Sequence, residues 1–153
     1  MVKGKKVYSI PTYRLQMVRD GSIKAHSITK AKDIIKAIKS FTHSDREFLI
    51  GLYLNSRNQV IAHHVISIGT ANAALVHPRE VFKLAILKNA CSIIVAHNHP
   101  SGGIDPSDAD LNMTKRLVAA GKILGIELID HIIITPAGQT FSIKKKLQTP
   151  NKR

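Results

Sequence analysis

Apolar residues recur along the chain at the spacing of strands. Runs rich in β-branched and aromatic residues, bounded by turn-forming residues, predict strands at 46–55, 59–69, 91–97, 126–135 and 140–143. The first two are separated by "NSRN" and predict a hairpin, and "PAGQ" turns the chain into the last. A further strand is predicted within residues 8–20.

Other apolar residues recur at helical spacing. Residues 29–41 place apolar side chains on one helical face: Ile34, Ile35, Ile38 and Phe41. A second helix follows residue 77, with Pro78 in its first turn. A third spans 108–125 and ends at Gly125, with four side chains predicted to face inward: Leu111, Leu117, Val118 and Leu124.

The order of these elements predicts the fold class and the domain limits. A hairpin comes first and a β-α-β-α-β pattern follows, which indicates an α/β or α+β fold with a mixed sheet. At 153 residues the chain is most simply one domain. We assign residues 1–7 to a basic arm, 8–143 to the domain and 144–153 to a basic tail.

The charge changes the picture of partners, because the chain carries a formal net charge of +13. Much of it lies at the two ends, which favours non-specific contact with nucleic acid through the tails, although a solvated surface explains it equally well. Aromatic residues are only 5% of the chain, which argues against a stacking platform for single strands. No membrane association is expected, since no apolar run reaches about 18 residues.

Cysteine usage and the N-terminal residues indicate a compartment. Cys91 is the single cysteine, which excludes cysteine-rich zinc modules and internal disulfides. The basic start lacks the apolar region of a signal peptide. A reducing cytoplasm is therefore the expected location.

The stretch "AHNHPSGGIDPSDAD", residues 96–110, carries the strongest chemistry. His97 and His99 are two apart at the end of a predicted strand, so their side chains share a face. Asp110 lies in the first turn of the next helix, and a flexible loop can bring that turn over the strand end. Two imidazoles and a carboxylate suit zinc, and three protein ligands leave a position for water, as in catalytic sites.

The same residues have a purely structural interpretation. Ser107 and Asp110 have the spacing of a capping box at a helix N-terminus. A histidine at a strand end is commonly without function, and the tripeptide "HNH" alone is not evidence for a nuclease. From the residues alone, a metal site and a capped helix both remain open.

A family resemblance favours the metal site. "HNHPSGGIDPSDAD" resembles the JAMM motif, His-x-His, seven residues, then Ser-x-x-Asp. Together with "VHPREVF" at 76–82 and "LIDHIII" at 128–134, it resembles the RadC family of the JAB/MPN superfamily over roughly residues 8–143. The resemblance implies a curved mixed sheet flanked by helices. It also implies zinc held by His97, His99 and Asp110, and Ser107 donating to an oxyanion.

The chain departs from the family pattern at the general base. Active JAMM peptidases use an upstream glutamate, and the matching position holds His64. Imidazole is a chemically plausible substitute near neutral pH. His63 would point to the opposite face of the strand, Glu80 suits an early helical turn, and Glu47 precedes a strand. His131 lies among apolar residues and is interpreted as a hydrogen-bonded core histidine rather than a ligand.

These observations support competing functions. The first is a zinc-dependent hydrolase of the metallopeptidase or isopeptidase type acting on a peptide or protein. The alternative is a nucleic-acid-associated module, in keeping with the DNA-repair name of the RadC family, whose metal site is weakly active or inactive. Zinc-dependent cleavage of phosphodiesters ranks last, because no second acidic cluster for a two-metal site is visible.

Overall fold

The computed structural model describes Arg14 and residues 31–69 and 76–149. Its elements, in chain order, are α1 (Ala31–Ala37), α2 (Lys39–Thr42), β1 (Phe48–Leu54), β2 (Val60–Ile68), α3 (Pro78–Leu87), β3 (Ser92–Asn98), α4 (Asp108–Leu124), β4 (Glu127–Ile134), β5 (Thr140–Ser142) and α5 (Ile143–Gln148). The predicted arm at 1–7 and the predicted strand within 8–20 lie outside the described residues, apart from Arg14.

The strands form one mixed sheet in the order β2-β1-β3-β4-β5. β1 pairs antiparallel with both β2 and β3, β3 and β4 run parallel, and β5 returns antiparallel to β4. The parallel pair needs a crossover connection, and α4 provides it. The predicted mixed sheet flanked by helices is therefore confirmed.

Each face of the sheet carries its own core. Side chains of α3 and α4, including Phe82, Met113 and Leu117, pack on one face against Val95 and Leu128. On the other face, α1 contributes Ile34 to a separate cluster with residues of β1, β3 and β4, and Ile38 just after it joins the same cluster. β3 lies at the centre of the sheet and is buried along its whole length, so its end is a rigid support for a site.

The predicted inward face of α4 is partly wrong. Leu117 is buried, but Val118 and Leu124 are 39% and 45% exposed, and Leu111 is only partly buried. The buried side of the helix is formed instead by Asp110, Met113, Thr114, Leu117 and Gly121. Hydrophobicity alone misplaces the face, because polar contacts of Thr114 and the close approach of Gly121 set the rotation of the helix.

Gly121 lets α4 lie directly on the turn that leads into β4. A Cβ atom there would be 2.5 Å from the carbonyl oxygen of Ile126 and 3.3 Å from Phe82 Cζ. We expect Gly121→Ala to lower the free energy of unfolding by about 2 kcal/mol, because overpacking outweighs the helix propensity of alanine. Urea denaturation measures this change. Ala119→Ser, on the exposed side of the same helix, should stay within about 0.5 kcal/mol of the parent, and equal stability of Gly121→Ala would contradict the expectation.

The chain after β5 continues in α5 rather than leaving the domain at residue 144. Ser142 caps this helix by accepting a hydrogen bond from the backbone of Lys145, and Lys144 Nζ reaches Glu127 Oε1 at 2.9 Å and the carbonyl of Leu128 at 2.6 Å. The predicted tail thus begins with residues that contact β4. The run of consecutive lysines resembles a solvated tail in the sequence. In the structure one of them, Lys144, is held by a carboxylate and a carbonyl of β4.

None of the helices within 31–69 and 76–149 combines the length and the apolar character needed to cross a bilayer.

Candidate metal centre

Two histidines lie close together at the C-terminal end of β3. His97 is the penultimate residue of the strand and only 1% exposed, and His99 lies just beyond it, with its backbone N–H still donating to the carbonyl of Ile134 at 2.9 Å. Their side chains therefore point to the same side. The two Nε2 atoms are 2.8 Å apart.

Asp110 joins them from the first turn of α4. Ser107 is the N-cap of this helix and forms a capping box with Asp110, as the spacing predicted. Asp110 Oδ2 accepts hydrogen bonds from Ser107 N at 2.9 Å and Ser107 Oγ at 2.6 Å, while Oδ1 lies 3.5 Å from His97 Nε2. One oxygen holds the helix cap and the other faces the histidines, so capping leaves a carboxylate oxygen free to serve as a candidate ligand.

The three side chains fit a metal ion. Each offers one ligand atom, and these atoms lie within 4.8 Å of one another. His99 Nδ1 is 2.7 Å from the carbonyl oxygen of Gly103, to which it donates, so its Nε2 carries the lone pair that faces the site. A nitrogen pair at 2.8 Å needs either the hydrogen of one neutral ring or a cation between its members, and two nitrogens with one carboxylate are a donor set that zinc accepts. His97, His99 and Asp110 together could hold a metal ion.

A buried hydrogen-bond chain lies behind His97. Its Nδ1 is 2.8 Å from Nε2 of His131, whose Nδ1 is 2.7 Å from Thr114 Oγ1. His131 is fully buried in β4. The prediction of a hydrogen-bonded core histidine is confirmed, and the structure adds that its partner is a candidate ligand.

Burial keeps His97 and His131 neutral. Desolvation lowers the pKa of His97 to about 4, with Asp110 opposing the shift and His99 adding to it. Desolvation, followed by the charges of His97 and His99, also lowers the pKa of His131 well below its usual value. Neutral imidazole is the form that binds metals.

Acidification is therefore expected to destabilise the metal-free protein. In the unfolded chain these histidines ionise near the ordinary value of 6.5, so the unfolded state binds more protons than the folded state below that pH. The stabilisation is fully present above about pH 6.5 and is lost as pH falls towards 4, by on the order of 3 kcal/mol for His97 alone.

Denaturant unfolding of chelator-treated protein at several pH values between about 7 and 4.5 measures this dependence. His97→Gln should flatten part of the slope, because glutamine takes up no proton in either state. A free energy of unfolding that is constant across the window in the parent protein would be inconsistent with neutral buried histidines.

The Ser107 hydroxyl is engaged within the cap. It donates to Asp110 Oδ2 and accepts from the backbone N–H of Asp110 at 3.1 Å. Donation to a substrate oxyanion requires its single hydrogen to turn away from Oδ2. The residue is exposed, so such a rotation has room.

His64 lies on the same face of the sheet as His97, but among the described residues it makes no hydrogen bond to the three candidate ligands. It pairs with Gly51, which pairs in turn with Val95 in β3, and directly paired residues share a face. That face also carries His97, two residues beyond Val95. His63 pairs with Leu52 and points to the opposite face, as predicted.

The glutamates considered for the base role differ in their surroundings. Glu80 lies in the first turn of α3 and pairs with Lys83 at 2.8 Å and Arg79 at 3.4 Å. The hydrogen bond from Lys83 is the main cause that lowers the pKa of its carboxyl. Glu47 directly precedes β1. Glu80 in an early helical turn and Glu47 before a strand both agree with the expectation from the sequence.

Two supporting residues were not predicted. Asn98, between the histidines, accepts from Phe48 N at 2.7 Å and donates to Arg46 O at 2.8 Å, which fixes the start of β1 to the end of β3. Thr114 links α4 to His131. The only sequence signal for Asn98 is its position between two polar candidates at a strand end, and Thr114 gave none.

Comparison with known proteins gives a consistent assignment. The family model described as a RadC-like JAB domain matches residues 28–148. A UPF0758 protein of Caldanaerobacter subterraneus subsp. tengcongensis is 47% identical over 121 residues, which are 78% of this chain and 52% of that protein. A UPF0758 protein of Desulforamulus reducens is 57% identical over 90 residues, which are 59% of this chain and 40% of that protein. The chain thus spans about half the length of the curated relatives it matches.

Proposed function

The chain belongs to the RadC family of the JAB/MPN superfamily, and on that premise we propose that it is a zinc-dependent hydrolase of the metallopeptidase or isopeptidase type. The observation that supports the proposal is the convergence of His97, His99 and Asp110 from two elements, with ligand atoms within 4.8 Å of one another. The expected substrate is an amide bond in a peptide or protein. The exposed free thiol of Cys91 suits the proposed reducing cytoplasm.

Zinc, when bound, would polarise the scissile carbonyl and lower the pKa of a water molecule towards about 7. His97 and His99 would hold the ion with neutral nitrogens, and Asp110 would supply a negative charge through Oδ1. The Ser107 hydroxyl would turn from Asp110 Oδ2 to the developing oxyanion, a donation whose loss typically costs about 10²–10³ in rate. His64 would take the proton from the attacking water.

Metal analysis combined with an amide hydrolysis assay tests this function. The parent protein should contain one zinc per chain and cleave peptide or isopeptide substrates, and a chelator should abolish both properties. His97→Ala should contain no zinc. Stoichiometric zinc in both proteins would refute the ligand assignment, and zinc-loaded parent protein that cleaves no amide substrate would refute the hydrolase function.

A second candidate function is non-specific contact with nucleic acid, including the DNA-repair association of the family name. It is favoured by the net charge of +13 and by Lys145 and Lys146, which are exposed on α5. Binding to duplex DNA should weaken with salt, and Lys145→Gln with Lys146→Gln should reduce the slope by about 0.9 per lost phosphate contact. Affinity that is absent at low salt, or insensitive to salt, would exclude this function.

A further inference from the structure

We propose that His131 and Thr114 are positioning residues that fix the proton on Nδ1 of His97, so that the lone pair of its Nε2 faces the metal. The proposal rests on the metal site of the proposed function, but not on the reaction carried out there. It follows from counting hydrogens along a chain of contacts that begins and ends at Asp110.

The hydroxyl of Thr114 fixes the direction of the first hydrogen bonds in the series. It lies 2.7 Å from the backbone carbonyl oxygen of Asp110, which has no hydrogen and can only accept. The single hydrogen of the hydroxyl is therefore donated there. The second contact of the same oxygen, 2.7 Å from His131 Nδ1, must be one in which Thr114 accepts and His131 donates.

The ring of His131 passes this direction on to His97. It is fully buried, in contact with Thr114 on one side and His97 on the other. A neutral imidazole has one N–H, and Thr114 fixes it on Nδ1. Nε2 is then an acceptor, and the atom 2.8 Å from it, His97 Nδ1, must donate.

His97 is the last residue in the series. With its hydrogen on Nδ1, the neutral ring carries its lone pair on Nε2, the atom that faces His99 and lies 3.5 Å from Asp110 Oδ1. The hydrogen-bond series thus starts at the backbone carbonyl of Asp110 and ends at His97 Nε2, which lies beside the carboxylate of the same residue. Metal-bound histidines usually donate their second N–H to a carboxylate, carbonyl or water, and here a neutral histidine takes that role.

Zinc affinity in matched variants is the first test. Thr114→Ser keeps the hydroxyl, and Thr114→Val replaces it by a methyl group in nearly the same volume. His131→Phe removes the acceptor while keeping a ring. Competition with a chelator should give Thr114→Ser within about threefold of the parent, and Thr114→Val and His131→Phe weaker by about 10–100-fold.

Histidine tautomers provide a readout that does not depend on activity. In ¹⁵N-histidine NMR spectra of the zinc-bound parent protein, His131 should be the Nδ1–H tautomer, because the ion occupies the place between the two Nε2 atoms that a hydrogen would otherwise fill. In Thr114→Val the acceptor is lost, so the hydrogen should shift towards Nε2, while Thr114→Ser should restore the parent pattern. A residue that only fills space would not change the tautomer.

The outcomes separate this inference from the proposed function. An Nε2–H tautomer of His131 in the zinc-bound parent, measurable even where a variant does not fold, would overturn it. Parent-like zinc affinity in folded Thr114→Val and His131→Phe would also overturn it. Zinc bound with the expected tautomer in a protein that hydrolyses no amide would support the inference and refute only the hydrolase.

Discussion

Asp110→Asn is expected to weaken zinc binding by more than about 100-fold while leaving α4 in place, since even changes behind a ligand typically cost 10–100-fold. The amide removes the negative charge of Oδ1, which faces His97 Nε2 at 3.5 Å. Its carbonyl oxygen can still accept from Ser107, so the helix cap persists. Chelator competition and metal analysis measure the affinity, and far-ultraviolet circular dichroism monitors the fold.

The chain offers a close control in the same helical turn. Asp108 is also acidic and lies in the first turn of α4, but it is exposed and is not part of the metal-ligand group. Asp108→Asn makes the same change in charge near the same helix terminus and should leave zinc affinity within about threefold, since it alters only long-range, screened electrostatics. Equal losses in the two variants would mean that Asp110 acts through net charge and not as a ligand.

The centre itself could be predicted because its geometry is local. Side chains two apart on a strand share a face, and a capping box places the N-cap and its third residue together. His97 with His99, and Ser107 with Asp110, each follow one of these rules. The spacing left open whether Asp110 caps the helix or binds a metal. The structure shows the cap through Oδ2 and leaves Oδ1 facing His97, so the cap does not prevent metal binding.

The support behind the ligands depends on contacts distant in sequence. His131 meets His97 because β4 lies parallel to β3, and Thr114 meets His131 because α4 crosses over that pair. Neither relation follows from the residues near each histidine. The same crossing explains the error on α4: Thr114 and Gly121, not the larger Val118 and Leu124, face the sheet.

His64 is the residue on which the rate of hydrolysis is expected to depend. It lies on the sheet face of His97, on the strand two positions from β3. Two strand spacings and an offset of two residues put the two backbones roughly 12 Å apart. To act as the base, its imidazole must extend over that face to within hydrogen-bond reach of the attacking water, directly or through one further water. His64→Gln keeps the size and polarity of the side chain but removes the base, and we expect the hydrolysis rate to fall by about 10²–10⁴-fold.

Two further variants make this prediction specific. His64→Glu introduces the residue that the family pattern has at this position and should keep a hydrolysis rate well above that of His64→Gln. His63→Gln changes the neighbour on the opposite face and should leave the rate within about threefold, because its side chain is directed away from the metal centre. All three should bind one zinc per chain, since none alters a ligand. Unchanged hydrolysis in His64→Gln with full zinc content would show that the proton is taken by another group, and equal losses at His63 and His64 would point to a general disturbance of β2.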